Sequence, residues 1–221
     1  MLTKTELSVL GQLSKDNCKI KDIAKALNKS IKQIYRVSKN LEDFITLSSG
    51  ALMPKKSLHT VSLLHLLDKH PKIIDILSGS GIQILMQLLQ PKTVEEIGQE
   101  TKLKKSMIYK KIGQAYGLSI VAKENKRYLI NQKIWPDLKG FIDEYKKFYE
   151  TTDARIPASS IIYHKDDEEI IFSNKKGLDA KLTAFSVYDK YNIKILLTTN
   201  FYCLQKKILS KKDIFLHSVY I

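Results

Sequence analysis

Cysteine is nearly missing: of 221 residues only Cys18 and Cys203 carry a thiol, and they lie far apart. A disulfide scaffold is excluded, and the two are expected as reduced thiols of a cytoplasmic protein. Long apolar runs are missing too. No stretch reaches the roughly 18 residues a membrane span needs, and no apolar core follows the charges of Met1-Leu-Thr-Lys-Thr-Glu-Leu7, so no signal peptide is expected. There is no P-loop, no glycine-rich dinucleotide turn, no nucleophile elbow and no zinc-ligand pattern. His59, His65 and His70 are spaced so that they do not share one helical face, which argues against a metal site. No cofactor and no enzymatic activity are expected.

What is present is positive charge and a repeat. Lysine and arginine number 37 against 23 acidic residues, a formal net charge of +14 with a pI near 9.5. That balance points to a polyanionic partner. With 43% hydrophobic residues the chain can bury real cores, and its length suits two or three small domains. The charge is uneven. Residues 1–52 hold nine basic and five acidic side chains, 79–135 hold ten and four, and 136–221 hold fourteen and twelve. The expected polyanion therefore belongs to the first two thirds.

The repeat runs from Ile20 to Arg36 and again from Val94 to Lys110. Superposing Ile34-Tyr35 on Ile108-Tyr109, an offset of 74, places Ile23 on Ile97, Ile20 on Val94, Ala24 on Gly98 and Arg36 on Lys110. Upstream, Leu7, Leu10 and Leu13 meet Ile82, Leu85 and Leu88 once one loop residue is dropped. Such self-similarity predicts one small domain duplicated. Each copy reads as three short helices. In the first, Thr3 or Thr5 caps a helix through Leu13. The second helix spans about Ile20 to Leu27, Asn28-Lys29 turns, and Ser30 caps a third helix from Ile31 to about Glu42. In the second, Gly79-Ser80-Gly81 opens a helix, Thr93 with Glu96 forms a capping box, and the third helix carries Leu103 to Ile112 and stops at Gly117. A two-strand pattern follows each time: Phe44–Leu47 with Ala51–Met53, then Leu118–Ala122 with Arg127–Ile130.

Helix-turn-helix followed by a hairpin resembles the winged helix-turn-helix family of transcription regulators, over about residues 3–132. The resemblance implies a third helix that enters the major groove and a hairpin wing that touches backbone or minor groove. It is closest in the second copy, where Leu103-x-x-Ser106-x-Ile108-Tyr109 is followed by basic residues. Carried onto this chain, the DNA-facing residues are Lys32, Gln33, Arg36 and Lys39 in the first copy and Ser106, Met107, Tyr109, Lys110 and Gln114 in the second. Lys123, Lys126 and Arg127 of the second wing are placed on phosphates. The first wing, Ser48-Ser49-Gly50, has no basic residue.

The expected fold class is mainly α with small β: two winged helix-turn-helix domains at 1–53 and 79–134, a helical connector at 54–78, a helix and hinge at 135–152 available for dimerisation, and a small α+β domain at 153–221. The connector helix should bury Leu58, Val61, Leu64 and Leu67, with Leu63 and Leu66 beside them, against the repeats or a second copy. In the C-terminal part we expect strands at 159–163, 169–172 and 193–197, a helix from Leu178 to Tyr191, and an apolar tail, 214–221, that is either a buried last element or the cut edge of a longer chain. Tyr202–Leu204 is a further strand candidate. The expected function is a DNA-binding regulator acting on double-stranded DNA, a homodimer with no membrane partner, whose C-terminal domain takes an effector or protein partner. Two alternatives stay open: a protein–protein adaptor, and a metal-dependent nucleic-acid enzyme using His164 with Asp166, Asp167, Glu168 and Glu169.

Overall fold

A computed structural model describes residues 1–153, 155–166, 168–205 and 208–221. Roughly half the chain is helical, and its strands form small antiparallel sheets. The chain divides into two compact units, Met1–Lys146 and Lys147–Ile221. Among the described residues no helix is long and apolar enough to cross a membrane.

The N-terminal unit contains the same five-element series twice. The first is α1 (Lys4–Leu13), α2 (Ile20–Ala26), α3 (Ile31–Asn40), β1 (Ile45–Ser48) and β2 (Ala51–Pro54). Between the copies lie α4 (Leu58–Lys69), a 3-10 turn at Pro71–Ile73 and α5 (Ile74–Leu77). The second series is α6 (Gly81–Gln87), α7 (Val94–Thr101), α8 (Lys105–Gly117), β3 (Val121–Glu124) and β4 (Arg127–Ile130). The unit closes with the first part of α9 (Pro136–Thr151).

Local chemistry explains these boundaries. Thr3 Oγ1 accepts from the Glu6 amide at 3.2 Å while Glu6 accepts from the Thr3 amide at 2.7 Å, and Thr93 and Glu96 repeat both bonds at the same distances. These capping boxes satisfy amides that a helix start leaves unpaired. Ser30 caps α3 by accepting from the Gln33 amide at 3.2 Å. With the 74-residue offset, α2 and α7 begin at matching positions, and so do α3 and α8. The turns match as well: Asn28 (φ 51°) and Lys102 (φ 56°) are both left-handed. Ala24 and Gly98 occupy equivalent positions in the two copies, and a Cβ on Gly98 would stand 3.6 Å from Ile108 Cδ1 and the Leu103 carbonyl, an ordinary contact distance. Helix α8 is longer than α3, so the hairpins follow at an offset of 76, Ile45 matching Val121. Each hairpin turns through two residues with positive φ, Ser49-Gly50 and Asn125-Lys126, the geometry that suits the twist of paired strands. Each is joined by one more antiparallel bridge, Lys19 to Ala51 and Lys92 to Tyr128.

The two copies share one apolar core. Leu7, Leu10, Ile23 and Ile34 of the first and Ile82, Leu85, Ile97 and Ile108 of the second belong to a single buried cluster with Leu63, Leu66 and Leu67 of α4, Ile76 and Leu77 of α5, and Leu138, Phe141 and Ile142 of α9. The connector thus packs within its own unit, and so does the apolar stripe of α9. In α4, Leu67, Leu63 and Leu66 are buried as expected and Leu64 partly so, but the inward face is rotated at the start of the helix: Leu58 and Val61 are 71% and 55% exposed, and His59 and Thr60 are buried in their place. The buried face is thus the less apolar one at the start of the helix, and His59 finds aromatic neighbours there. His59 lies edge-on to Phe44 at 5.3 Å and to Tyr145 at 6.2 Å. Burial holds its pKa below the ordinary histidine value, favouring the neutral ring. His70 packs on Trp135 at 4.6 Å, Lys69 pairs with Asp137 at 3.0 Å, and His65 stays exposed, 3.8 Å from the same carboxylate.

The C-terminal unit is an antiparallel sheet ordered β5 (Ile161–Lys165), β6 (Glu169–Asn174), β8 (Asn200–Gln205), β7 (Lys181–Leu182), with a 3-10 helix at Ala184–Tyr191 and α10 (Lys211–Val219). Its small core is Ile156, Ile170, Phe172 and Tyr202. The expected hairpin forms, and Tyr202–Leu204 lies in β8. Two expectations fail. The helix predicted over 178–191 is interrupted because Lys181 and Leu182 pair with Cys203 and Tyr202, and Ala184 is left-handed at φ 47°. The strand predicted at 193–197 is not formed; β7 takes the place beside β8, and Leu196 is 98% exposed. The apolar tail is α10, started by a capping box of Ser210 and Asp213, with Ile214 and His217 buried.

Two substitutions test this packing. Gly81→Ala should destabilise the N-terminal unit by about 1–3 kcal/mol, because a Cβ would overlap the Ile76 carbonyl; urea unfolding should show a lowered midpoint. Lys102→Asn should raise stability by about 0.5–1 kcal/mol, because Asn tolerates the left-handed turn that Lys strains; a thermal melt should rise by about 2 °C.

Candidate nucleic-acid interface

Helix α8 carries the densest set of the residues singled out from the sequence. Ile108, Ile112 and Ala115 point into the core. The 3.6-residue period then turns Ser106, Met107, Tyr109, Lys110 and Gln114 to solvent, and all five are exposed. Four of them, Ser106, Met107, Lys110 and Gln114, line one open cleft of about 690 Å³, whose opposite side is Asp75 and Ser78-Gly79-Ser80. Tyr109 is 53% exposed and is not part of the cleft wall. Helix α3 presents Lys32, Gln33, Arg36 and Lys39 outward, with Ile34 and Val37 inward.

The cations divide into those already engaged and those held in solvent. Lys111 donates to the Asp75 carbonyl at 2.7 Å and lies 3.4 Å from Ser78 Oγ, so it ties α8 to the end of α5. Burial lowers its pKa, partly offset by Asp75. Lys105 pairs with Glu95 at 2.8 Å, which raises the lysine pKa and lowers that of the glutamate. Arg127 donates to Glu96 at 2.9 Å and to the Pro91 carbonyl at 2.9 Å. The backbone amide of Thr93, and to a smaller extent Arg127, hold the Glu96 carboxyl below its usual pKa. Of the three wing residues expected on phosphates, Arg127 is thus fastened to the start of α7. Lys123 lies over the Tyr128 ring at 5.5 Å, and Lys126 sits at the hairpin turn. Among the described residues, Lys32, Arg36, Lys39 and Lys110 have no carboxylate within ion-pair distance.

Among the described residues, the acidic run of the C-terminal unit does not gather into one site. Asp166 Oδ1 accepts from the amides of Glu168 and Glu169 at 2.7 and 2.8 Å, closing the β5–β6 turn. His164 lies 3.7 Å from Asp166, and Asp167 is outside the described residues. Glu169 turns the other way, toward Cys203 and His217. His217 Nε2 is 3.2 Å from Glu169 Oε2, Cys203 Sγ is 3.9 Å from the same oxygen, and His217 Nδ1 is 2.7 Å from Thr183 Oγ1. Burial, and then the Glu169 charge, push the Cys203 thiol up to about 12, so it is protonated at neutral pH and is not a nucleophile. Sequence reading missed this cluster, since residues 169, 203 and 217 form no motif; the one available signal was a histidine inside the apolar tail.

No protein-family model matches the chain, and neither a curated protein nor a solved structure matches it.

The two neighbouring lysines of α8 should separate in a stability assay. Lys111→Met should lower the stability of the N-terminal unit by about 1.5–3 kcal/mol, the scale of a charge-assisted hydrogen bond, whereas Lys110→Met should leave it within about 0.5 kcal/mol. Chemical denaturation of both variants measures the difference.

Proposed function

We propose that the two helical series of the N-terminal unit are winged helix-turn-helix modules and that the chain is a DNA-binding transcription regulator. The observation that carries this reading is the outward face of α8. Hydroxyl, thioether, phenol, ammonium and amide groups stand there together, free of the core, in a unit that holds most of the +14 charge. Ser106, Tyr109, Lys110 and Gln114 would meet base edges and backbone from the major groove, with Gln114 suited to adenine and Lys110 to guanine or phosphate. Lys123 and Lys126 would take phosphates, and Arg127 would hold the wing in place through Glu96. Lys32, Gln33, Arg36 and Lys39 offer a similar face on α3. The C-terminal unit would serve an effector, a protein partner or dimerisation, and any homodimer would use surfaces other than the buried stripes of α4 and α9.

A second reading has one observation behind it. Met107, 44% exposed, lines the cleft and would also suit an apolar side chain from a protein partner. Salt separates the two readings, because phosphate neutralisation releases counterions and an apolar contact does not.

The full chain should bind random-sequence duplex DNA at low salt and lose affinity steeply as salt rises, measured by fluorescence anisotropy. Combining Arg36→Ala with Lys110→Ala should weaken binding and reduce the slope of log K against log salt by about 0.9 for each phosphate no longer neutralised. Unchanged affinity in the double variant would overturn the role given to these helices, and salt-insensitive partner binding would favour the adaptor.

A further inference from the structure

The cluster in the C-terminal unit brings three metal-binding chemistries to one point. Glu169 is on β6 and Cys203 on β8, and these strands pair with Ile171 opposite Cys203, so Glu169 and Cys203 are diagonal neighbours on one face of the sheet. Helix α10 lies against that face within the unit and delivers His217, which is 2% exposed. The carboxylate oxygen, the thiol sulfur and an imidazole nitrogen all lie within 4.8 Å of one another.

Those separations can be compared with a tetrahedral zinc centre. Bonds of about 2.0–2.1 Å to nitrogen and oxygen and about 2.3 Å to sulfur require N···O near 3.4 Å and S···O near 3.6 Å. The cluster has 3.2 and 3.9 Å for these two pairs, a few tenths of an ångström away, and its sulfur and nitrogen lie within 4.8 Å. The outer contact also fits. Thr183, fully buried, sits 2.7 Å from His217 Nδ1 and accepts its proton when Nε2 is the ligating atom, the second partner that fixes ring and tautomer at metal-bound histidines. The charges close as well. Cys203 would bind as thiolate, losing its proton to solvent, Glu169 as carboxylate and His217 as the neutral ring, so two negative charges cancel one divalent cation. A neutral assembly is what burial favours.

We propose that Glu169, Cys203 and His217 bind a borderline-soft divalent transition-metal ion, zinc(II) before others, with the fourth position left to water. Thiolate and imidazole select this class over magnesium or calcium, which take oxygen ligands. Thr183 is a positioning residue. The proposal does not depend on the reading of the N-terminal unit.

The test is a cobalt(II) titration of the full chain after metal stripping with a chelator. One equivalent should bind, giving a sulfur-to-cobalt charge-transfer band and the visible bands of a tetrahedral ion, and zinc should bleach both. The charge-transfer band should vanish in Cys203→Ser and persist in Cys18→Ser, the only other thiol. Thr183→Val should weaken binding about 10–100-fold. Glu169→Gln, which keeps side-chain shape, should weaken binding while far-ultraviolet circular dichroism stays unchanged; it decides the matter if Cys203→Ser fails to fold. Absence of the band in the parent chain, its survival in Cys203→Ser, or undiminished affinity in Glu169→Gln would overturn the site and leave the buried His217 simply paired with the half-buried Glu169.

Discussion

Helix α1 is the element on which the N-terminal unit depends. It packs on α3 and β2 of its own series and on α4 and α5 of the connector, with Leu7 and Leu10 fully buried and Leu13 nearly so. Each leucine buried in this way contributes about 1.5–3 kcal/mol. Glu6 adds direction: while closing the cap with Thr3 it accepts from Asn40 at 3.0 Å, which ties the start of α1 to the end of α3. Because α4 and α5 lead into α6, the second series is built onto the first through that apolar seam, and neither copy owns a separate core. Gly81 marks how tightly the join is made, at the place where the connector backbone passes the first residue of α6.

Much of this frame is legible in the sequence, and particular residues show why. The caps at Thr3, Ser30 and Thr93 depend on side chains three residues from the amides they serve, so local pattern suffices. The repeat is legible for a similar reason: Ile23 and Ile97, or Ile34 and Ile108, occupy the same buried seats in both copies. Where the outcome depends on distant partners, local pattern fails. The face of α4 is chosen by Phe44 and Tyr145, which come from elsewhere in the chain. Residues 193–197 have a strand's composition but no sheet edge, since Lys181 and Leu182 hold it. The Glu169, Cys203 and His217 cluster exists only once β6 and β8 are in register and α10 is in place.

The charge of the chain is similarly sorted by structure. Lys92 pairs with Glu100, Lys105 with Glu95 and Arg127 with Glu96, all at or near α7. Exposed pairs of this kind are worth about 0–1 kcal/mol each, so their effect is mainly positional: they fix the hairpin and the start of α8 relative to α7. The acidic first turn of α7 thus neutralises nearby cations, and Lys110 is set apart as a charge with no carboxylate to answer it among the described residues.

The matching left-handed turns carry a last consequence. Where the first copy has Asn28 in that conformation and Ser30 capping the next helix, the second has Lys102 and Lys104. Asparagine and serine are the residues that make such a turn self-supporting; lysine supplies neither the tolerance nor the cap. The duplicated halves are therefore unequal partners. The first closes its helical junction with a serine cap, while the second has no side-chain cap at Lys104 and is spanned instead by the Lys105–Glu95 pair, so its junction rests on a charge contact that salt screens.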